Sequence, residues 1–249
     1  MRLLWSAYGR LYDRLWDTHL IAELGGAVAA RAAAAGLPVV EVGCGTGLIT
    51  RHLVETGLAI EAHEPSEVMR RRCEARVSPL PVGDAALDAV AAGPGPRFVV
   101  ASNVVHFTDD PEAALERLRH LAGEGGGVVV VTPLPSATLA DVVSAHRRHG
   151  ATAGHAALFV MTHVVLALLT VAHRLPRRVA AAFACVRDDH YETIAGCFAL
   201  VSVDGEAAPA ERGVAVAGSG PRRRGDQEHD HRRGGDQCRQ AHEEVQRCG

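Results

Sequence analysis

Val39-Val40-Glu41-Val42-Gly43-Cys44-Gly45-Thr46-Gly47 is the stretch that decides the fold. An apolar run holding one acid breaks into three alternate glycines, and Leu48-Ile49-Thr50-Arg51-His52-Leu53-Val54 resumes as an amphipathic helix. A strand that stops at glycines and passes into a helix brings bare backbone and a helix N-terminus up to a ligand. Spacing narrows the ligand. A dinucleotide turn, G-x-G-x-x-G, would place its third glycine where this chain has Leu48. A phosphate-cradling loop needs a lysine after its second glycine, and the chain has no lysine. What stands here is an E-x-G-x-G-x-G turn.

Working outward, apolar residues Leu4, Tyr8, Leu11, Tyr12, Leu15 and Trp16 recur at helical spacing, predicting a helix from Leu3 to about Ala35 that Gly25-Gly26 bends or interrupts. Strands are predicted at about 39–43, 58–63, 76–82, 98–101 and 128–131. Helices fall between them, one starting near Ser66 with Arg70-Arg71-Arg72 on a solvated face, another from Pro111 to Leu121. Short continuous apolar strands alternating with helices predict an α/β fold, a doubly wound and mostly parallel sheet. After Pro133 the pattern changes to three helical stretches over about 136–196 with no clear strand, expected to form a helical cap inserted after strand five. A sixth strand is expected at 198–203 with a weak antiparallel partner at 213–217. From Gly218 periodicity is lost, and the tail is expected to be disordered. The expected organisation is therefore an N-terminal helical segment (1–36), a cofactor-binding core (37–135), a cap (136–197), returning strands (198–217) and a tail (218–249).

Composition excludes several classes. With 249 residues, a net charge of −3 and a pI near 6.5, the chain has no general polyanion-binding surface, so a nucleic-acid partner is not expected. Its six cysteines form no CxxC pair, and the tail's His229, His231, Cys238, His242 and Cys248 fit no standard metal spacing. Reduced thiols and the lack of a secretory pattern at Met1-Arg2-Leu3-Leu4-Trp5 point to the cytoplasm. The apolar run from Ala156 to Ala172 falls short of the roughly 20 residues a spanning helix needs. It is read as a buried or cap helix shaping an apolar pocket, with membrane contact as the lesser alternative.

From about Val39 to Pro133 the motif order resembles the class I S-adenosylmethionine-dependent methyltransferases. The resemblance implies a Rossmann-like fold and S-adenosylmethionine as cofactor; from the residue spacing no metal is expected. Glu41 would support the turn and the methionine part of the cofactor, and Gly43, Cys44, Gly45 and Gly47 would form the turn. Glu64, next to Pro65 at the end of strand two, matches the acid that takes the ribose hydroxyls, as in dinucleotide folds. Asp84 with the Ala85 amide matches the adenine reader, and Ser102-Asn103 lies where the family lines the cofactor. The family often carries an acid after the aromatic opening strand four; Val99 follows Phe98 here. His106 is the candidate general base, against the plainer reading of a packed histidine. Tyr8, Tyr12 and His19 are candidates to close over a substrate, and Tyr12-Asp13 resembles the entry segment of quinone and lipid methyltransferases. The expected activity is methyl transfer to a small molecule. Alternatives are a lipid or quinone methyltransferase at a membrane surface, a nicotinamide-dependent oxidoreductase and a non-catalytic cofactor-binding remnant. The sequence leaves the oligomeric state open.

Overall fold

A computed structural model describes residues 2–169, 175–186 and 191–203. Seven strands form one sheet: β1 (Val39–Val42), β2 (Ile60–His63), β3 (Val82–Gly83), β4 (Phe98–Ser102), β5 (Gly127–Pro133), β6 (Tyr191–Ile194) and β7 (Phe198–Val203). Their order is β3-β2-β1-β4-β5-β7-β6. The first five run parallel, β7 returns antiparallel beside β5, and β6 pairs antiparallel with β7. This is a Rossmann-like, doubly wound sheet whose order reverses between β1 and β4. Parallel strands are covered on both faces, which is why β1, apart from Glu41, and most of β4 and β5 read as valine-rich runs.

The helices divide between the faces. On one face α2 (His19–Ala35) and α3 (Thr50–Val54) pack Leu20, Leu24, Val28 and Leu53 against Val39, Val100, Val129 and Val131. On the other, α5 (Pro111–Ala122) packs Leu115, Leu118 and Leu121 against Val40, Val42, Val99 and Val128. Helix α4 (Glu67–Val77) closes a smaller cluster of Cys44, Ala62, Cys73, Val77 and Val82 at the β2–β3 end.

Several expectations are corrected. The N-terminal helix breaks at Asp17–Thr18, giving α1 (Arg2–Trp16) and α2, while Gly25 and Gly26 lie inside α2. Gly25 serves packing instead: a Cβ there would stand 2.3 Å from the His52 ring of α3. Arg76 and Val77 end α4 and leave β3 only Val82–Gly83, because the helical run outcompetes a short edge strand. The three helices after β5 are α6 (Leu139–Arg148), α7 (Ala153–Leu169) and α8 (Leu175–Val186). Helix α8 joins α5 on the sheet face through Ala182 and Phe183, and strand β6 follows it where no strand was expected. The antiparallel partner of β7 is thus this upstream strand. The anticipated strand at 213–217 and the tail from 218 lie outside the described residues. Among the described residues no helix is long and apolar enough to cross a membrane.

Candidate active site at the carboxyl edge of the sheet

Because β1 to β5 run parallel, their carboxyl ends share one edge, and in open α/β sheets ligands bind at that edge where the strand order reverses. The glycine turn follows β1 at that point. Gly43, Gly45 and Gly47 hold φ of +70°, +59° and +82°, a region that only glycine enters without strain. Their surroundings differ. A Cβ on Gly43 would meet Val104 at 2.5 Å, which ties the turn to the loop after β4. One on Gly47 would meet the Cys73 sulfur at 2.9 Å, so that glycine seats the turn on α4. A Cβ on Gly45 would meet nothing within 4 Å. Gly45 therefore faces open ground with bare backbone.

Two acids frame the turn. Glu41 in β1 is 1% exposed, and its Oε2 has no hydrogen-bond partner. Burial pushes its carboxyl up to about 7, opposed by a hydrogen bond with Thr50 at the start of α3 and reinforced by Glu64. Glu64 is also buried. Its Oε2 accepts the Gly45 N–H at 2.9 Å and its Oε1 accepts the Ser66 N–H at 2.7 Å. Burial raises the Glu64 carboxyl above its ordinary value, against those two amides and Arg70. A carboxylate has about four acceptor directions, so lone pairs remain for a ligand's hydroxyls. Pro65 is exposed beside it, and exposed Asp84 and half-buried Ala85 follow β3 on the same edge.

The edge continues at β4. Ser102 ends the strand, and Asn103 holds a φ of +57°, uncommon for a residue other than glycine. The Asn103 N–H donates to the Val131 carbonyl at 2.8 Å, while its side-chain Oδ1 is buried without a partner. His106 sits in a 3₁₀ turn (Val105–Phe107), 3% exposed, its Nδ1 also unpartnered. Burial lowers its pKa to about 4, so the ring is neutral at ordinary pH. Thr132 on β5, one register position beyond the Ser102–Val131 pair, is fully buried with an unpartnered hydroxyl. Its sequence signal was a single hydroxyl closing the run Val128 to Val131.

Helix α1 lies over the turn. Arg76 of α4 donates to the Thr46 carbonyl, to Asp13 at 3.3 Å and to Asp17 at 3.1 Å. Arg72 pairs with Asp13 at 3.1 Å and Arg51 with Asp17 at 3.1 Å. The triple arginine is therefore not one solvated face: Arg70 donates to the Glu64 carbonyl and Arg72 reaches α1, leaving Arg71 to pair with Glu67 at the surface. Tyr12 and Tyr8 contact edge to face at 5.7 Å between centroids, and Trp16 Nε1 donates to the Tyr8 hydroxyl at 2.8 Å. Burial raises both phenols, Tyr8 to about 12, and Glu64 adds to the rise at Tyr12, which places Tyr12 near that acid. His19 stands apart: it is exposed at the start of α2, with Gly150 beside it. Among the described residues no group of three or more His, Cys, Asp or Glu side chains is arranged to hold a metal ion.

The profile of the methyltransferase domain family matches residues 10–182, and the chain belongs to that family. Solved structures similar to it include the CcbJ methyltransferase of Streptomyces caelestis, 24% identical, covering 45% of this chain and 49% of that one at a TM-score of 0.39. Magnesium protoporphyrin IX methyltransferase of Synechocystis, solved with bound S-adenosylmethionine, is 18% identical over 46% of this chain and 57% of that one, at a TM-score of 0.38. DhpI, solved with S-adenosylhomocysteine, is 25% identical over 52% and 66%, at a TM-score of 0.43. The match thus spans about half to two thirds of those proteins' lengths. At such TM-scores the family profile alone carries the assignment. No curated protein matches the sequence.

Proposed function

We propose that this chain binds S-adenosylmethionine at the glycine turn and transfers its methyl group to a small-molecule acceptor. The observation that carries this reading is the open ground in front of Gly45, with Glu41 beneath the turn and Glu64 bonded to its amide. Such a cradle fits a ligand that presents ribose hydroxyls, which the remaining lone pairs of Glu64 would accept, with the bare Gly45 backbone leaving room for it. Membership of the methyltransferase domain family agrees with that fit. Asp84 and Ala85 would meet the adenine, and Ser102 and Asn103 would line the cofactor's far side.

When bound, the sulfonium cofactor supplies an activated methyl group and departs as a neutral thioether. The protein's work is then alignment and exclusion of water. Asn103, His106 and Thr132 bring unpartnered polar atoms to the ends of β4 and β5, suited to orienting an acceptor's N–H or O–H. A histidine with its pKa near 4 is a weak base, so His106 serves as a hydrogen-bond acceptor before it serves as a proton sink. Helix α7 carries Leu158, Met161 and Val164 exposed, which favours an apolar acceptor such as a lipid or quinone as the second reading. The nicotinamide reading loses ground at Leu48, whose buried side chain fills core space where a dinucleotide turn needs a glycine.

Calorimetry with S-adenosylhomocysteine and with NAD on the same preparation tests the cofactor assignment. Saturable binding of the first and none of the second is expected. Binding of NAD alone would overturn it.

A further inference from the structure

Cys44 sits between the first two glycines of the turn, and its sulfur donates a hydrogen bond to the Cys73 sulfur of α4 at 3.5 Å. Both are free thiols, Cys73 fully buried and Cys44 6% exposed. Neither is needed for the turn's geometry, which the glycines supply. A dithiol at van der Waals contact beneath a ligand-binding loop has a chemistry of its own.

We infer that Cys44 and Cys73 form a reversible disulfide when the protein meets a peroxide, and that this cross-link weakens cofactor binding. The inference rests on the cofactor reading above. Cys44 keeps a small exposed surface while Cys73 has none, so a small hydroperoxide reaches the Cys44 sulfur first. The sulfur attacks the peroxide, the O–O bond breaks, and the products are a sulfenic acid on Cys44 and one molecule of water or alcohol. The Cys73 sulfur then attacks that sulfur, the S–O bond breaks, and a water leaves with the thiol proton. Two thiols lose two electrons and two protons, and the peroxide is reduced by the same two electrons. The hydrogen bond from Cys44, with Thr50 and Arg76 in support, holds the Cys73 thiol below its usual range against burial, which suits it to this second attack.

The consequence is mechanical. A disulfide needs the sulfurs at about 2 Å, so the pair must close by roughly 1.5 Å. The turn has no slack to absorb this. Cys44 N–H is bonded to the His63 carbonyl at 3.0 Å, and its own carbonyl accepts from Gly47 N–H at 3.0 Å. Gly47 already rests on Cys73, where an added Cβ would stand 3.3 Å from the Cys73 Cα. Drawing Cys44 toward α4 therefore displaces Gly45 and its 2.9 Å bond to Glu64, the two groups the cofactor requires.

The test treats the full chain with hydrogen peroxide, maps disulfides on non-reduced peptides, and measures S-adenosylhomocysteine affinity before treatment, after it, and after dithiothreitol. A linked pair of peptides carrying Cys44 and Cys73 is expected, with affinity at least tenfold weaker after oxidation and restored by the reductant. In Cys73→Ser, peroxide should leave affinity where it stood before treatment. Absence of the linked peptides, or linkage with unchanged affinity, overturns the inference. Reduced protein that binds no S-adenosylhomocysteine overturns the cofactor reading and the regulatory half with it, while the peptide map still decides whether the cross-link forms.

Discussion

Gly45 and Gly57 hold nearly the same left-handed backbone, φ of +59° and +73°, and neither would bring a Cβ within 4 Å of another atom. Only Gly45 lies at the site; Gly57 lies between α3 and β2, at the opposite edge of the sheet. Leucine at either position should cost about 1–2 kcal/mol of stability from the left-handed conformation. Gly45→Leu should in addition abolish S-adenosylhomocysteine binding, while Gly57→Leu keeps it. Equal affinities in the two variants would remove the turn from the site. A second pair separates two acids three residues apart. Glu64→Ala strands the Gly45 and Ser66 amides and removes the proposed ribose acceptor, and should weaken cofactor binding by about 1.5–3 kcal/mol, ten- to a hundred-fold. Glu61 is exposed and bonds to His63 and Arg97, so Glu61→Ala should leave affinity within about twofold. Titration calorimetry on both variants checks this, and a larger loss in Glu61→Ala would strip Glu64 of its role.

At the scale of elements, α1 is held over the turn by charge as well as by the packing of Leu15, Tyr12 and Trp16. Arg76 alone joins Asp13, Asp17 and the Thr46 carbonyl, with Arg72 and Arg51 completing the clasp. These side chains are partly shielded, so the network is worth more than scattered surface pairs and is only partly screened by salt. Arg76→Met keeps the aliphatic stem but loses the donors. It should expose the Asp17–Thr18 break to limited proteolysis and weaken S-adenosylhomocysteine binding several-fold; unchanged protection would show that Tyr12 and Trp16 packing holds α1 unaided. This clasp was not legible in the sequence. Spacing places Arg72 and Arg76 on one helical face, but an arginine on an exposed-looking face reads the same whether or not another helix arrives above it. By contrast, Glu41, the three glycines and Glu64 were legible, because strand–turn–helix punctuation fixes their backbone role locally. Strand β6 was missed for a related reason: Tyr191-Glu192-Thr193-Ile194 is short and lies on the sheet edge, with three of its four residues exposed, so no apolar alternation marks it. Gly25 misled in the opposite direction, since its missing side chain answers to His52 across a helix interface and not to a bend.

Across the whole molecule, the buried titratable groups set opposing limits on stability with pH. Glu41 has its folded pKa raised to about 7, above its unfolded value near 4.5. The folded chain keeps that proton where the unfolded chain releases it, so the contribution is complete below pH 4.5 and is lost as pH rises through 7. For a fully buried carboxyl the loss is on the order of 3 kcal/mol. His106 and His146 behave conversely, burial lowering each to about 4 from 6.5. The unfolded chain takes up those protons first, so their contribution is complete above pH 6.5 and is lost as pH falls toward 4. His146 adds a structural consequence, because it lies against Trp16 of α1 and Phe159 of α7 and bonds Thr18 at 3.0 Å. Charging it loosens the N-terminal helices and the helices after β5 together. Between pH 4.5 and 6.5 the two effects oppose each other; Glu64, raised by burial, acts in the same direction as Glu41, and His163, lowered by burial, in the same direction as the other two histidines. Melting temperature should therefore fall from pH 6.5 to 8 in the wild type and fall less in Glu41→Gln, whose amide cannot ionise while Glu64 keeps its raised carboxyl. Below pH 4.5 both proteins should lose stability in parallel, since the substitution leaves the histidines untouched. A wild type that melts higher at pH 8 than at pH 6.5 would mean that Glu41 is already ionised when folded, with its charge held by the turn.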